Sequence, residues 1–471
     1  MHLSSLPGKY SIGSFGEEAR RFVDFLQEGG FTYWQVLPFC TIDECNSPYK
    51  SLSAFGGNPY FIDLPSLYEQ GLLTAEELEQ AEQQTPYSCE YTRLSDERLE
   101  LLRLAAMRVQ DRSEIIAFSE SHPELERAAY FMALRDANGG TPWQEWTENE
   151  CEIDELFFRQ FIEYEFHRQW MAVKEYANSK GILIIGDLPI YVAEDSADVW
   201  SEPEQFLLDD RGYPTEVAGV PPDYFSEEGQ LWGNPLYDWK KMKKDGFSWW
   251  RRRIKHTLEL FDGVRIDHFR GLESYWSVPR KAKSAKEGRW VKGPGRALIN
   301  VIKEIAGERL IIAEDLGDIT EEVNKLRRYS GFPGMRVFQF AFLGDPKTPH
   351  LPHNYVCDSV AYSGTHDNNT LLGYVWELSA EERAKVFAYC GGDLSDWEGG
   401  VRAIIRTLMA SAAGTVILPI QDLLLFGSDT RMNTPGTSES NWAYRITEEQ
   451  LASLDSVALR KMNELFDRAR K

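Results

Sequence analysis

FSWWRRRIKHTLELFDGVRIDHF, residues 247–269, contains the step of chain that decides the architecture. Residues 247–260 read as a helix, and FDGVRIDHF (261–269) follows as a buried strand that stops on a carboxylate, Asp267. The same step recurs: residues 155–179 precede GILIIGDLPIYV (181–192), and residues 296–307 precede RLIIAEDLG (309–317). Upstream, a helix over 14–30 opens with a capping box, Ser14 and Glu17, closes on Gly29 and Gly30, and leads into the strand FTYWQVLPF (31–39). Downstream, MRVFQFAF (335–342), DSVAYSGTHDN (358–368) and GTVILPIQDLL (414–424) supply three more strands, and a helix over 447–470 closes the chain. Repeated helix and strand units imply a parallel sheet. Seven such strands with polar residues at their ends predict an α/β protein of the (β/α)8 TIM-barrel class rather than an open sheet. The eighth strand belongs first in the chain. Only residues 1–3 precede the turn SSLPG, so that strand is expected to be short or missing, its residues lying upstream of Met1.

A single barrel is therefore expected over 1–471, with two insertions that break the alternation. Residues 66–154, rich in Glu, Gln, Leu and Ala, read as a mainly helical subdomain. Residues 201–246, rich in Pro, Gly, Asp and aromatics, read as an ordered loop over a site, with Tyr224, Phe225, Trp232, Tyr237 and Trp239 either stacking on sugar faces or packing a satellite core beneath the loop.

Composition narrows the partners. With 51 basic and 74 acidic residues the formal net charge is −23, which repels nucleic-acid phosphates and anionic membranes and favours neutral ligands. The six cysteines are scattered, without a C-x-x-C pair, as suits a reducing cytoplasm. The first residues lack the basic and apolar blocks of a signal peptide, and no apolar run approaches the roughly 20 residues that span a bilayer. A cytoplasmic protein with neither nucleic-acid nor membrane partner is expected.

Barrel enzymes carry their chemistry where strands end. Four strands end on acids: Asp187, Asp267, Glu314 (with Asp315 beside it) and Asp367. Acids crowded at one barrel mouth repel, so one keeps its proton to higher pH while another near a cation stays ionised. Retaining glycosyl transfer needs that division: an ionised carboxylate to attack the anomeric carbon and a protonated one to serve the leaving oxygen. Arg265 is two residues before Asp267, on the same face of the strand, and is expected to keep it ionised as the nucleophile. Glu314 follows LIIA without a basic neighbour, a setting that raises its pKa and suits an acid/base. Asp367, after His366, is placed to oppose the positive charge that grows on the sugar ring, although GTHDN also reads as an Asx-type turn.

GVRIDHFRG (263–271), IIAEDLG (311–317) and SGTHDNNT (363–370) resemble the three catalytic blocks of the 4-α-glucanotransferases, glycoside hydrolase family 77. The resemblance extends to NSPYKSLSAFGGNPYFIDL (46–64), GDLPIYV (186–192), AGVPPDYFSEEGQLWGNPLYDW (218–239) and RMNTPGTSESNW (431–442). It implies nucleophile Asp267, acid/base Glu314 and transition-state stabiliser Asp367, with sugar contacts from Tyr49, Asp187, Gln230, Trp232, Arg265, His366 and Asn433. It further implies a barrel without a C-terminal β-sandwich, and transfer of an α-1,4-glucan segment between maltooligosaccharides or to glucose. The family usually carries an apolar strand ahead of the HLSSLPG-like turn, which this chain begins almost upon.

Whether water or a sugar hydroxyl takes the glycosyl group depends on what surrounds the intermediate, and residues 219–239 are expected to cover the acceptor side. The competing enzyme class, an α-glucan hydrolase or branching enzyme, usually adds a C-terminal β-domain. A non-catalytic carbohydrate-binding barrel would lack one of the three acids. A nucleotide-sugar transferase would need a phosphate-seating G-x-G-x-x-G turn or P-loop. The mechanism requires no metal, and His256, His268, His350 and His353 lack the helix-face pairing of zinc hydrolases, so neither metal nor cofactor is expected.

Overall fold

The computed structural model describes residues 1–222 and 227–469; Tyr224 and Phe225 of the aromatic segment lie outside the described residues. Among the described residues eleven strands follow in chain order: β1 (Tyr33–Gln35), β2 (Leu183–Leu188), β3 (Glu216–Val220), β4 (Gln230–Pro235), β5 (Gly263–Ile266), β6 (Ser274–Pro279), β7 (Arg289–Lys292), β8 (Ile311–Ala313), β9 (Gly334–Val337), β10 (Ser359–Tyr362) and β11 (Thr415–Ile417). Seven of them pair in parallel in the order β1-β2-β5-β8-β9-β10-β11 and curl into a nearly closed (β/α)8 barrel. These are the seven apolar runs of the sequence, each ahead of its polar end. Helices Ile153–Ser179, Ser248–Leu260 and Arg296–Ala306 lead into β2, β5 and β8.

Strand periodicity decides what fills the barrel. Ile185, Ile312, Met335, Val337, Val360 and Tyr362 form one buried cluster inside the wall. Because alternate residues share a face, Asp187, two beyond Ile185, and Glu314, two beyond Ile312, emerge from the same interior column at its upper end.

Three local expectations change. The first helix is Glu17–Glu28, with Gly16 at its N-cap and no side-chain cap. Ser14 donates instead to Asp63, whose other oxygen caps the helix Leu64–Glu69 through Ser66 N–H. Gly16 has no room for a side chain there, since a Cβ would lie 2.3 Å from Asp63 Oδ1. The closing helix divides into Glu448–Ala452 and Ser456–Leu465, because Asp455 starts a new turn by accepting from Ala458 N–H. Residues 201–246 are not simply a loop: β3 and β4 join β6 and β7 in a four-stranded antiparallel sheet, ordered β4-β3-β6-β7. Their alternation was hidden by glycine, and Gly219 is needed where the strands meet, since a Cβ would fall 2.4 Å from the Gln230 carbonyl oxygen.

Between residues 66 and 154, the helices Leu99–Arg108, Ser113–Ser121 and Pro123–Ala137 pack along the long helix Ile153–Ser179. Ahead of β1, residues Leu3–Ser5 form a 3-10 turn. β1 and β11 are not hydrogen-bonded to one another. They face each other across a cavity of about 240 Å³ lined by Phe31, Trp34, Gln35, Gly414, Val416 and Arg468.

Candidate active site

Strand register assembles the acids. β2 and β5 place Asp187 opposite Arg265, and β5 and β8 place Ile266 opposite Ala313. The next residues, Asp267 and Glu314, therefore leave the sheet side by side at its carboxyl edge. Arg265 Nε lies 3.1 Å from both Asp187 oxygens and its Nη2 donates to Asp187 Oδ2 at 2.8 Å. The same Nη2 reaches Asp267 Oδ1 at 3.1 Å and Tyr49 Oη at 3.2 Å. Tyr49 in turn donates to Asp187 Oδ2 at 2.7 Å.

That sharing corrects the expected electrostatics of Asp267. Arg265 meets Asp187 through three contacts and Asp267 through one, so burial, with Asp187 and Asp367 adding to it, raises the Asp267 carboxyl to about 7 against the pull of Arg265. Asp187 has no side-chain surface open to solvent, whereas Asp267 keeps 27% of its own. Glu314 behaves as its sequence context implies: burial, then the charge of Asp267, raises its carboxyl well above the ordinary range. Its Oε2 accepts from His268 N–H at 2.6 Å and its Oε1 from Leu316 N–H at 3.2 Å.

Asp315 belongs to the framework. It is buried, accepts from Met335 N–H at 2.7 Å and stands 3.4–3.5 Å from Arg327 and Arg336. A Cβ on Gly334 would fall 2.3 Å from Asp315 Oδ2, so the strand must carry glycine where this acid packs.

Asp367 lies in the turn after β10, but the turn is made by its neighbour: Asn368 Oδ1 accepts from the backbone and hydroxyl of Thr365. The Asp367 carboxylate is left free of the turn. Asn433 Nδ2 donates to it at 2.6 Å, His366 Nε2 lies 3.4 Å away, and Arg431 grips the Asp367 carbonyl at 2.5 Å. His366 stacks on Tyr49, with centroids 5.1 Å apart and planes 18° apart. Trp232 on β4 donates to Gln230 and meets His268 edge-on at 5.0 Å, which brings the antiparallel sheet against the residue that follows Asp267.

The ten residues given catalytic or sugar-contact roles in the sequence therefore gather around one barrel mouth, linked through the Arg265, Asp367 and Trp232 groups, whereas Tyr237 is buried in the core and donates to the Ile190 carbonyl. Sequence reasoning gave no site role to His268, Arg431 or Trp442. His268 holds a left-handed backbone (φ 47°, ψ 51°) that turns its N–H to Glu314; Trp442 packs on Tyr49 and His366. Each lies inside a quoted motif, but residue type alone carries no sign of such a turn or stack.

A family profile described as 4-alpha-glucanotransferase matches residues 1–451. The chain belongs to the 4-alpha-glucanotransferase family. Relatives of that name from Clostridium butyricum and Thermus thermophilus are each 44% identical, over 99% of this chain and 100% and 98% of their own lengths. The amylomaltase of Streptococcus agalactiae, solved in complex with acarbose, superposes with a TM-score of 0.95 at 36% identity, covering 100% of this chain and 99% of that one. The amylomaltase of Corynebacterium glutamicum shares the fold at 17% identity, with a TM-score of 0.80 over 98% of this chain and 74% of its own. As a 4-alpha-glucanotransferase, the chain is an enzyme that transfers segments of α-1,4-glucan. Among the described residues no helix is long and apolar enough to cross a membrane.

Proposed function

We propose that the transfer runs by retaining double displacement, with Asp267, Glu314 and Asp367 as the catalytic residues. An Asp267 oxygen bonds to the anomeric carbon as the bond to the leaving sugar's O4 breaks, and the Glu314 proton passes to that oxygen. The 4-hydroxyl of an acceptor then attacks the same carbon, Glu314 takes its proton, and Asp267 leaves as carboxylate. The observation that carries this reading is the pair of neighbouring strands β5 and β8, whose register sets Asp267 beside Glu314, with Arg265 touching the first and not the second. A proton shared between the two crowded acids stays on Glu314, because Arg265 touches Asp267 and favours its ionised form. Asp367, held by Asn433, faces the charge that develops on the ring.

Tyr49, Gln230, Trp232, Arg265, His366 and Asn433 are the sugar-contact residues in this reading. Asp187, closed to solvent, acts through Arg265 as a positioning residue. Maltooligosaccharides are the donors, and shorter ones or glucose the acceptors; the complex of the S. agalactiae relative with acarbose supports a sugar ligand. The sheet that carries Trp232 shields the acceptor side from water. We assign the enzyme to the cytoplasm on the scattering of its six cysteines. Incubation with maltotriose alone, followed by chromatography, tests the reading: glucose together with a ladder of longer oligosaccharides is expected. Glucose and maltose without the ladder would contradict it.

A further inference from the structure

On the outer face of the barrel, away from the acids, three helical elements bring together the side chains of His122, His167 and Glu259. His122 closes the helix Ser113–Ser121, His167 lies on Ile153–Ser179, and Glu259 on Ser248–Leu260, the helix that feeds β5. One ligand atom from each lies within 4.8 Å of the others.

Two details separate this cluster from an ordinary surface ion pair. The Nδ1 of His122 is engaged by the Phe118 carbonyl at 2.8 Å and the Ser121 hydroxyl at 2.9 Å, and its ring is stacked on Phe118 at 4.1 Å. That is the outer-shell arrangement that fixes the tautomer of a coordinating imidazole and leaves Nε2 for a metal. His167 Nε2 is buried and stands 3.4 Å from Glu259 Oε1, with no other polar partner among the described residues. An ion pair needs one histidine; the second, held in place by a backbone carbonyl, has no part in it.

We propose that His122, His167 and Glu259 form a binding site for a divalent first-row transition ion, zinc in the first instance, distinct from the catalytic mouth. Two imidazoles and one carboxylate suit such borderline ions and leave a fourth position for water. Tetrahedral coordination at about 2.0–2.1 Å spaces ligand atoms about 3.4 Å apart, the separation His167 and Glu259 already have. The Glu259 side chain is 44% exposed, which gives the ion an entry path and lets the carboxylate close inward. The ion would tie the helices of the 66–154 segment to the helix ahead of β5 and leave glucan chemistry untouched.

The test uses untagged full-length protein stripped with a chelator. Zinc chloride titrated by calorimetry should bind saturably at one equivalent and raise the melting temperature. Glu259→Gln, a conservative change at an exposed position, and His167→Gln should each weaken binding by on the order of 100-fold and abolish the thermal shift. Cobalt should give d–d bands without a sulfur charge-transfer band. Absence of saturable zinc binding, wild-type affinity in both variants, or a thiolate band placing the metal on cysteine would each overturn the site.

Discussion

The barrel wall is built two ways in this molecule. From β2 through β10 the strands pair in register, their inward side chains are buried, and the edge of the wall carries acids set against one another. At the seam between β1 and β11 the wall is held otherwise. Trp34 donates from its indole to the Met1 carbonyl at 2.7 Å, Leu37 N–H donates to His2 Nδ1 at 3.2 Å, and Tyr362 reaches across to Gln35 at 2.9 Å. β11 itself is only half-buried. Paired strands dictate where every side chain points and so can hold a charged constellation; side-chain bridges hold a seam without dictating a register.

The largest expected effect is at the paired side. Asp267→Asn should lower disproportionation by at least about 10³-fold while the melting temperature stays equal or rises. The folded carboxyl titrates near 7, above the unfolded value of about 3.9, so it favours folding while protonated. That contribution is lost as pH climbs from about 4 through 7, and the variant should lose this pH dependence, as melting curves between pH 4 and 8 would record. A variant that melted lower at pH 8 would place Asp267 in the framework.

The pH profile comes next. The two acids titrate as a pair. On the acid side kcat/KM should climb toward a value near 7 by up to about tenfold per unit as Asp267 ionises, then fall at higher pH as Glu314 gives up its proton. Glu314→Gln, assayed with a donor whose leaving group needs no protonation, should lose the alkaline fall. A persisting fall would move the acid role elsewhere.

Asn433→Ala should lower kcat by about 10–100-fold, the loss of one hydrogen bond to a charged group, with little change in stability. An unchanged kcat with raised KM would make Asn433 a sugar contact alone.

The smallest effects sharpen the contrast between the two sides. Ile312, fully buried on β8, should cost about 2–5 kcal/mol when changed to Ala. Ile417, half-buried on β11 beside the cavity, should cost less than about 1.5 kcal/mol for the same change, both measured by denaturant unfolding. Equal losses would mean the seam is as tightly packed as the rest of the wall.

The same contrast explains what the sequence made legible. Seven strands, four of them ending on acids, were readable because a paired, buried strand must be an apolar run and its exit must be polar. The raised carboxyl of Glu314 followed from the apolar run before it, whereas the expected hold of Arg265 on Asp267 did not survive. The sharing of Arg265 with Asp187 was not readable, because it comes from the register of two strands 78 residues apart. β3 and β4 were hidden by glycine and proline, and the loss of the Ser14 cap by its bond to an Asp63 49 residues away. The left-handed turn at His268 has no signature in residue type.

The central claim, that Asp267 attacks and Glu314 serves as acid and base, is tested most directly by trapping the intermediate. Glu314→Gln treated with an activated α-maltosyl fluoride should accumulate a glycosyl ester, since the fluoride leaves unaided while the acceptor lacks its base. Peptide mass spectrometry should find the added sugar on Asp267. Sugar on another carboxylate, or donor turnover with inverted product stereochemistry and no ester, would contradict the account.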